Sequence, residues 1–209
     1  MGRRATLSRE KVLHAALRLV DRAGLEALTM RRLAKELGVE AMSLYRYVRG
    51  KEDVLDGVHE LILQSVPAPP ARGSWKQRLG VLARGLREVL LAHPNAVPLF
   101  ATRPAVAEGS LARADAVLGI LHRAGFRPAD QLAALHGLIA YVVGSVLSVA
   151  AWPGPGRSGV DYAALPEDAF PNLRRLAPVI AQEDPEYEFT VGLEAFLAGL
   201  DRLRRARRR

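Results

Sequence analysis

The amino-acid sequence predicts an all-α fold. Apolar residues recur three and four positions apart along most of the chain, which is the spacing of one face of an α-helix. No stretch alternates apolar and polar residues in the way that a half-buried β-strand does. Ser8 and Gly24 flank the first apolar stripe, at positions where helix-capping residues are favoured. We therefore predict helices throughout, grouped into a small N-terminal domain and a larger C-terminal domain.

The N-terminal domain is predicted to contain a three-helix helix-turn-helix unit followed by a fourth helix. Thr29 stands where an N-cap side chain accepts a hydrogen bond from a free backbone N–H, and Gly38 stands where a helix ends. The predicted helices cover residues 9–23, 30–37, 41–48 and 51–65. The residues predicted to face the core are Leu13, Ala16, Leu17, Val20, Leu33, Ala34, Leu37, Leu44, Val48, Val54, Leu55, Val58, Leu61 and Ile62.

A proline-rich segment separates the two predicted domains, which cover residues 1–66 and 67–209. The larger domain is predicted to contain helices over 75–92, 94–101, 107–124, 128–152, 172–182 and 185–205, with a loop over 153–159. The stretch 132–152 has no charged residue and could span a bilayer by its length. Its polar residues, His136 among them, favour instead a helix in a core or a subunit interface, so we predict no membrane partner.

The composition limits the classes of function. The chain has no cysteine, which excludes disulfides and thiol nucleophiles and fits a reducing cytoplasm. The N-terminus lacks the apolar segment of a signal peptide. The sequence has no nucleophile–base pair, no metal-ligand spacing and no phosphate-binding glycine loop. We therefore predict no catalytic residue, no metal site and no cofactor, and an all-α enzyme is the disfavoured alternative.

The positive charge is concentrated at the two ends of the chain. The formal net charge is +8, and residues 1–51 hold 12 basic and 5 acidic side chains. Residues 202–209 hold six arginines and no acidic residue. A polyanion is a natural partner for such ends, although a solvated basic surface is the alternative. For the C-terminal arginines, a solvated, disordered tail is favoured over added DNA affinity.

The second and third predicted helices have the spacing of a helix-turn-helix, with a short turn at Gly38. In that motif the second helix lies in the DNA major groove and the first crosses the backbone. Burial of Leu44 and Val48 would turn the basic and phenolic side of the third helix outward. The predicted DNA-binding residues are Thr29, Arg31, Ala41, Met42, Ser43, Tyr45, Arg46, Tyr47 and Lys51. A solvated helix with aromatic packing is the alternative.

Each residue type in this group suits a contact with duplex DNA. Arg46 can donate two hydrogen bonds to a guanine or grip a phosphate. Tyr45 and Tyr47 can donate to phosphates, which fixes the register without reading sequence. Met42 offers an apolar surface to thymine methyl groups. Lys51 adds its charge to a helix N-terminus, whose free N–H groups favour a phosphate.

The stretch AGLEALTMRRLAKELGVEAMSLYRYVRGKEDVLDGV resembles the DNA-binding domain of the TetR (tetracycline repressor) family of bacterial regulators. The resemblance covers residues 8–60 of the chain. It implies an all-α homodimer with one recognition helix per subunit. It also implies a C-terminal domain that binds a small-molecule inducer.

The C-terminal part is similar to the C-terminal class of the tetracycline repressors over residues 74–200. The similar stretches are SWKQRL, REVLLAHP, TRP, AGF, YVVGSVL and FTVGLEAFLAGL. In that class, histidine, asparagine and glutamate side chains hold the drug and its Mg²⁺. The corresponding positions here are Leu82, Leu86, Leu99, Ala140 and Ser148. Leucine offers no oxygen to a hard cation, so we predict that the metal-chelated tetracycline site is lost.

The remaining site is predicted to be an apolar cavity for a more hydrophobic effector. The predicted ligand-binding residues are Leu82, Leu86, Leu99, Phe100, Thr102, Arg103, His136, Ala140 and Tyr141. Thr102 and Arg103 keep the residue types that the resemblance implies, but they could instead serve turn chemistry. His136 could instead be a core or interface histidine.

These observations, with the resemblance, predict a ligand-responsive bacterial transcriptional regulator, by preference a repressor. It would bind a palindromic operator as a homodimer in the cytoplasm and be released by a small, largely apolar effector. The helix at 52–65 joins the two domains, and we predict that it acts as a lever that transmits movement from one to the other. A dimer bundle is predicted from the helix at 128–152 and the last helix, through Phe189, Val191, Leu193, Phe196, Leu197 and Leu200. The alternatives are an activator and an architectural DNA-binding protein without an effector.

Overall fold

The computed structural model describes residues 7–151 and 159–207. Within these residues it contains ten α-helices and no strand, so the predicted fold class is confirmed. The helices are α1 (Arg9–Ala23), α2 (Met30–Leu37), α3 (Ala41–Leu44), α4 (Lys51–Ser65), α5 (Trp75–Ala92), α6 (Pro98–Thr102), α7 (Glu108–Arg123), α8 (Pro128–Ala151), α9 (Pro171–Ile180) and α10 (Pro185–Ala206). Short 3₁₀ segments lie at Leu25–Ala27, Pro94–Ala96 and Tyr162–Ala164. The first and third were not predicted, because three residues carry no periodic stripe.

The chain divides into two compact units, and the first, Met1–Val146, holds α1 to α7 and most of α8. In its N-terminal part α1 packs against α2 and α4, and α2 packs against α3. The residues predicted to face this core are buried, except for Leu37 and Leu61, which are half-buried. The predicted domain boundary between residues 66 and 67 lies inside this unit and stays a prediction.

Helix α3 is shorter than predicted, because it ends at Leu44 and not at Val48. In the turn that follows, the amides of Tyr47 and Val48 both donate to the carbonyl of Leu44, at 2.9 and 3.0 Å. The amide of Arg49 then donates to the carboxylate of Asp53 at 2.8 Å and does not continue the helical ladder. A side-chain acceptor therefore competes with the backbone where this turn ends, after Val48.

The remainder of the first unit follows the predicted helices closely, with one division. A capping box starts α5, because Ser74 and Gln77 exchange side-chain and backbone hydrogen bonds of 2.9 and 3.3 Å. The helix predicted over 94–101 is split into the 3₁₀ segment Pro94–Ala96 and α6. Pro98 has no N–H to donate to the preceding turn, so it begins a helix and does not extend one.

The second unit, Leu147–Arg209, contains the end of α8, α9 and α10. The residues that α10 buries within the chain are Phe189, Leu193, Leu197 and Asp201. The first three belong to the predicted dimer bundle, which stays a prediction. Of the predicted interface residues on α10, Val191 is exposed.

The arginine-rich C-terminus is helical as far as Ala206, so the expected disordered tail is wrong up to that residue. Asp201 is buried, and its carboxylate pairs with Arg204 at 2.8 Å and Arg205 at 3.0 Å. Arg208 and Arg209 lie outside the described residues, as do Trp152 and residues 153–158 of the predicted loop.

Helix α8 is long and apolar enough to cross a membrane by length and composition. It is the one such helix within residues 7–151 and 159–207. Apolar core helices and interface helices meet the same criteria, so length and composition do not assign α8 to a bilayer.

Candidate nucleic-acid interface and effector domain

The outer side of α3 and its following turn is exposed, while the inner side is buried. Leu44 is fully buried and Val48 is 2% exposed, so the segment is fixed to the core through these two residues. Met42 is 75% exposed and Tyr45 is 49% exposed. Arg46 is also exposed. Met42 on α3 and Tyr45 and Arg46 in the turn after it therefore present a thioether, a phenol and a cation to solvent.

The other predicted DNA-binding residues lie on α2, on α3, in the turn after it and at the start of α4. Ser43 and Tyr47 are half-buried, and so is Lys51, the first residue of α4. Arg31 is exposed on α2. Ala41, half-buried, begins α3, and Thr29 caps α2, with its hydroxyl accepting the N–H of Arg32 at 3.2 Å. Because α2 packs against α3, Arg31 lies on a helix next to α3, and a shared surface for the whole set stays a prediction.

A charged network that the sequence analysis did not identify holds the turn after α3. Arg9, at the start of α1, donates to the carbonyl of Tyr47 at 3.0 Å. Its guanidinium also donates to both carboxylate oxygens of Asp53 on α4, at 2.9 Å each. Asp53 accepts the amide of Arg49, whose guanidinium lies 3.6 Å from the same carboxylate.

The hydrogen bond from Arg9 holds the pKa of Asp53 well below its ordinary value, and the Arg49 amide acts in the same direction. Residues far apart in sequence thus fix the turn that follows α3. An arginine at one helix start and an aspartate in the first turn of another are common, so the sequence alone carries no signal of their pairing.

The predicted effector residues differ in their exposure. Leu86 and Leu99 are buried, and Leu82, Phe100 and Tyr141 are half-buried. These five contribute apolar and aromatic surface.

Three of the predicted effector residues are exposed in the single chain, namely Thr102, His136 and Ala140. The hydroxyl of Thr102 donates to the carbonyl of Pro98 in the same helix, at 2.9 Å. His136 is therefore not a core histidine, and Thr102 satisfies its hydroxyl within α6.

Arg103 joins the end of α6 to α4. Its guanidinium donates to the carboxylate of Asp56 at 2.5 Å and also binds the carboxylate of Glu52. The side chain is only 17% exposed. Burial opposes the charge of Arg103, but the hydrogen bonds to both carboxylates outweigh it and raise its pKa. Arg103 thus donates its hydrogen bonds to α4, the helix that is predicted to act as the lever between the two domains.

His59 on α4 is buried against the same α6 segment. Its ring meets the ring of Phe100 edge to face, with centroids 4.5 Å apart. Burial lowers the pKa of His59, and Arg103 acts in the same direction, while Glu60 and Asp56 oppose it. The folded protein therefore favours the neutral form of this imidazole.

Folding stability should consequently fall as the pH drops below about 6.5, the ordinary value for histidine. In that range the unfolded chain takes up a proton at His59 that the folded chain does not, which gives a slope of up to about 1.4 kcal/mol per pH unit. Urea unfolding at a series of pH values measures this slope. We expect His59→Gln to reduce it, whatever its effect on absolute stability. The same substitution at the exposed His122 is the control, and an equal slope in wild type and His59→Gln would contradict the assignment.

A cavity of about 440 Å³ lies in the second unit, between the 3₁₀ segment Tyr162–Ala164 and α9. Its lining residues are Val160, Asp161, Tyr162, Ala163, Arg174, Ala177, Pro178, Ile180 and Ala181. No predicted effector residue lines this cavity.

Comparison with known families accounts for both parts of the chain. Residues 12–58 match the family described as bacterial regulatory proteins, tetR family. Residues 66–204 match the tetracyclin repressor-like C-terminal domain. The chain belongs to the TetR family. The resemblance inferred from the sequence is therefore confirmed for the DNA-binding part and for the C-terminal class.

Individual TetR-family relatives support the same assignment. An HTH-type transcriptional regulator of Saccharopolyspora erythraea is 40% identical over 158 residues, which are 75% of this chain and 67% of that protein. The class C tetracycline repressor protein of Escherichia coli is 32% identical over 204 residues, 95% of this chain and 92% of that protein. The structure of Streptomyces coelicolor ActR in complex with actinorhodin has a TM-score of 0.81 at 30% identity, covering 94% of this chain and 97% of that chain.

This TetR-family protein is a DNA-binding, ligand-responsive regulator of transcription of the repressor type. Its relatives are regulators and not enzymes. Leu86 and Leu99, two of the positions predicted to correspond to ligand positions of the tetracycline repressors, are buried and offer no oxygen to a Mg²⁺ ion. Among the described residues no group of three or more histidine and acidic side chains could hold a metal ion.

Proposed function

We propose that the protein binds a palindromic operator as a homodimer, with the α3 segment of each subunit in the major groove. The observation that carries this proposal is the exposed side of α3, with Leu44 and Val48 buried behind it. Two such segments related by a two-fold axis would read half-sites about 34–36 Å apart. The protein would act in the cytoplasm, where its operator lies.

The residues of this surface divide into two roles. Arg46 and Met42 are both exposed and would meet base edges, the first by two hydrogen bonds to guanine and the second through thymine methyls. Tyr45, Tyr47 and Lys51 would bind phosphates and set the register. The Arg9–Asp53 network supports these roles, since it holds the backbone of Tyr47 in place before DNA arrives.

Apolar side chains left exposed on α8 and α10 support a homodimer. Leu132 is 49% exposed on α8, and Leu147 near its end is 37% exposed. Tyr187 is 68% exposed and Val191 is 47% exposed on α10. A second copy would cover such residues in a helical bundle. Light scattering of the purified protein tests this point directly.

The effector is proposed to be small and largely apolar. Leucines stand where the tetracycline repressors carry drug and metal ligands, and ActR binds actinorhodin with a related fold. An effector releases DNA only if it prefers a conformation in which the two α3 segments are wrongly placed. Helix α4 contacts α5, α6 and α7 as well as α1, so it would carry the change.

Sequencing genomic DNA that the purified protein retains would identify the operator. The expected result is a palindrome with half-sites one helical turn apart, bound with two chains per site. Equal binding to an unrelated duplex at the same salt concentration would contradict the proposal, because it would leave only the salt-dependent, sequence-independent attraction.

Tetracycline with Mg²⁺ is not expected to release that operator at micromolar drug. The reason is the loss of oxygen and nitrogen donors at Leu82, Leu86 and Leu99. A gel-shift titration measures release, with the class C tetracycline repressor and its own operator as the positive control. Release of this protein at the same drug concentration would overturn the apolar-site proposal.

A thermal-shift screen with apolar compounds, and with actinorhodin beside them, separates this function from an architectural protein without an effector. Ligand binding to the folded state raises its apparent stability. A compound that raises the melting temperature and also lowers operator affinity supports the proposal. An activator would differ in its effect on transcription, which a reporter driven by the recovered operator measures.

A further inference from the structure

The chain enters α1 next to the turn that follows α3. Arg9 is the first residue of α1, and its side chain reaches the carbonyl of Tyr47, to which it donates at 3.0 Å. The same guanidinium donates to both carboxylate oxygens of Asp53, in the first turn of α4. The start of α1 therefore lies within one side-chain length of Tyr47 and close to the start of α4 at Lys51. Both of these residues are proposed phosphate contacts.

The cap of α1 fixes the point at which the preceding chain leaves this helix. The hydroxyl of Ser8 accepts the amide N–H of Lys11 at 3.2 Å, so the helix begins at Arg9. The backbone of Ser8 is extended, with φ −138° and ψ 161°. Residues 1–8, which we call the N-terminal segment, are thus joined to a fixed point beside the proposed DNA surface. Residues 1–6 themselves lie outside the described residues.

The composition of the N-terminal segment suits a narrow, negatively charged groove. Arg3 and Arg4 are adjacent, they are flanked by a glycine and an alanine, and no acidic residue precedes Glu10. The guanidinium of Arg9 already donates to acceptors within the protein, so Arg3 and Arg4 are the cations that this segment offers to DNA. The minor groove is narrow and strongly negative in A·T-rich DNA, and it attracts arginine side chains.

The N-terminal segment is long enough to reach from one groove of DNA to the next. Five residues separate Arg3 from Ser8, and an extended chain of that length spans at most about 17 Å. The major groove is about 12 Å wide and the minor groove about 6 Å. Phosphates line the boundary between the two grooves. A segment that starts beside two phosphate-binding residues therefore needs only part of its span to enter the minor groove.

We propose that the N-terminal segment places Arg3 and Arg4 in the minor groove next to the major-groove site of α3. The two guanidinium groups donate to N3 of adenine and O2 of thymine on the floor of that groove. A G·C pair presents the guanine amino group there, a donor that opposes a guanidinium. The segment thus selects A·T over G·C pairs at positions that α3 does not read. This inference rests on the proposed function, because it extends the DNA surface of α3.

Inosine isolates the minor groove in the test, because an inosine·cytosine pair differs from G·C only by the missing amino group in that groove. The recovered operator is prepared with A·T, G·C or inosine·cytosine pairs on both sides of each half-site. Fluorescence anisotropy measures the affinity of protein tagged at its C-terminus, so that the N-terminus is unaltered. The variant is Arg3→Ala with Arg4→Ala. The control is Arg72→Ala with Arg84→Ala, which removes two exposed arginines of the first unit.

We expect wild type and the control to bind the A·T and inosine·cytosine duplexes alike, and at least about fivefold more tightly than the G·C duplex. The Arg3→Ala, Arg4→Ala variant should bind all three duplexes with one affinity, no higher than that of wild type for the G·C duplex. Hydroxyl-radical cleavage should show minor-groove protection beside each half-site in wild type and none there in the variant. The thermal unfolding of the variant should match wild type, because both substitutions precede the capped helix.

Equal affinity of wild type for the inosine·cytosine and G·C duplexes would refute the minor-groove contact. An equal loss of affinity by the variant on all three duplexes would also refute it, because that is the pattern of sequence-independent attraction to phosphates. A wild type that binds no operator would refute the proposed function together with this inference. A wild type that binds its operator with no effect of the flanking pairs would refute this inference alone.

Discussion

Replacing Arg46 with alanine is expected to weaken operator binding by about 1–3 kcal/mol and to relax sequence preference at one base pair of each half-site. The side chain is exposed on the turn that follows α3, and Leu44 and Val48 fix the backbone behind it. A guanidinium there can donate two hydrogen bonds to one guanine, which an alanine cannot replace. Fluorescence anisotropy with the operator and with duplexes altered one base pair at a time measures both effects.

Arg84→Ala is the matched control, because Arg84 is an exposed arginine on α5, away from α3. It removes the same charge and should leave the sequence preference unchanged. Lys51→Ala should weaken all duplexes equally, as expected for a phosphate contact, and should lower the salt dependence. If Arg46→Ala keeps the wild-type affinity and footprint, Arg46 does not read the operator.

Replacing Asp53 with asparagine is expected to destabilise the DNA-binding part by about 1–3 kcal/mol. The carboxylate accepts four contacts, two from Arg9 and two from Arg49, and the asparagine side chain keeps the shape but loses the charge. Arg9 would then be held next to a neutral amide. Because Arg9 also binds the carbonyl of Tyr47, operator affinity should fall with stability.

Urea unfolding followed by circular dichroism measures the change for Asp53→Asn. Asp115→Asn, an exposed aspartate on α7, is the control and should change stability little. The low pKa of Asp53 sets the sign of the acid dependence: its stabilisation is present above about pH 3.9 and is lost as the pH falls below that value. Equal stability of the two asparagine variants would mean that the Arg9–Asp53 pair contributes nothing to folding.

The N-terminal helix-turn-helix could be predicted almost residue by residue because it depends on local patterns. The stripes around Leu33, Leu44 and Val58 identify the core, and the same wheel places Met42 and Arg46 outside. The sequence also predicted the loss of oxygen donors in the effector domain. The effector pocket could not be predicted in the same way. A pocket is lined by several helices, and no periodic pattern encodes the distances between them.

The sequence by itself determined the helices, their buried faces and the chemistry of the exposed side of α3. Only the tertiary structure decided where α3 ends and which carboxylates pair with Arg9 and Arg103. It also decided that α10 buries Phe189 within its own chain. The reason is physical. Helix formation and its apolar face follow from neighbours within about one turn, whereas Arg9–Asp53 and Arg103–Glu52 join residues 44 and 51 positions apart.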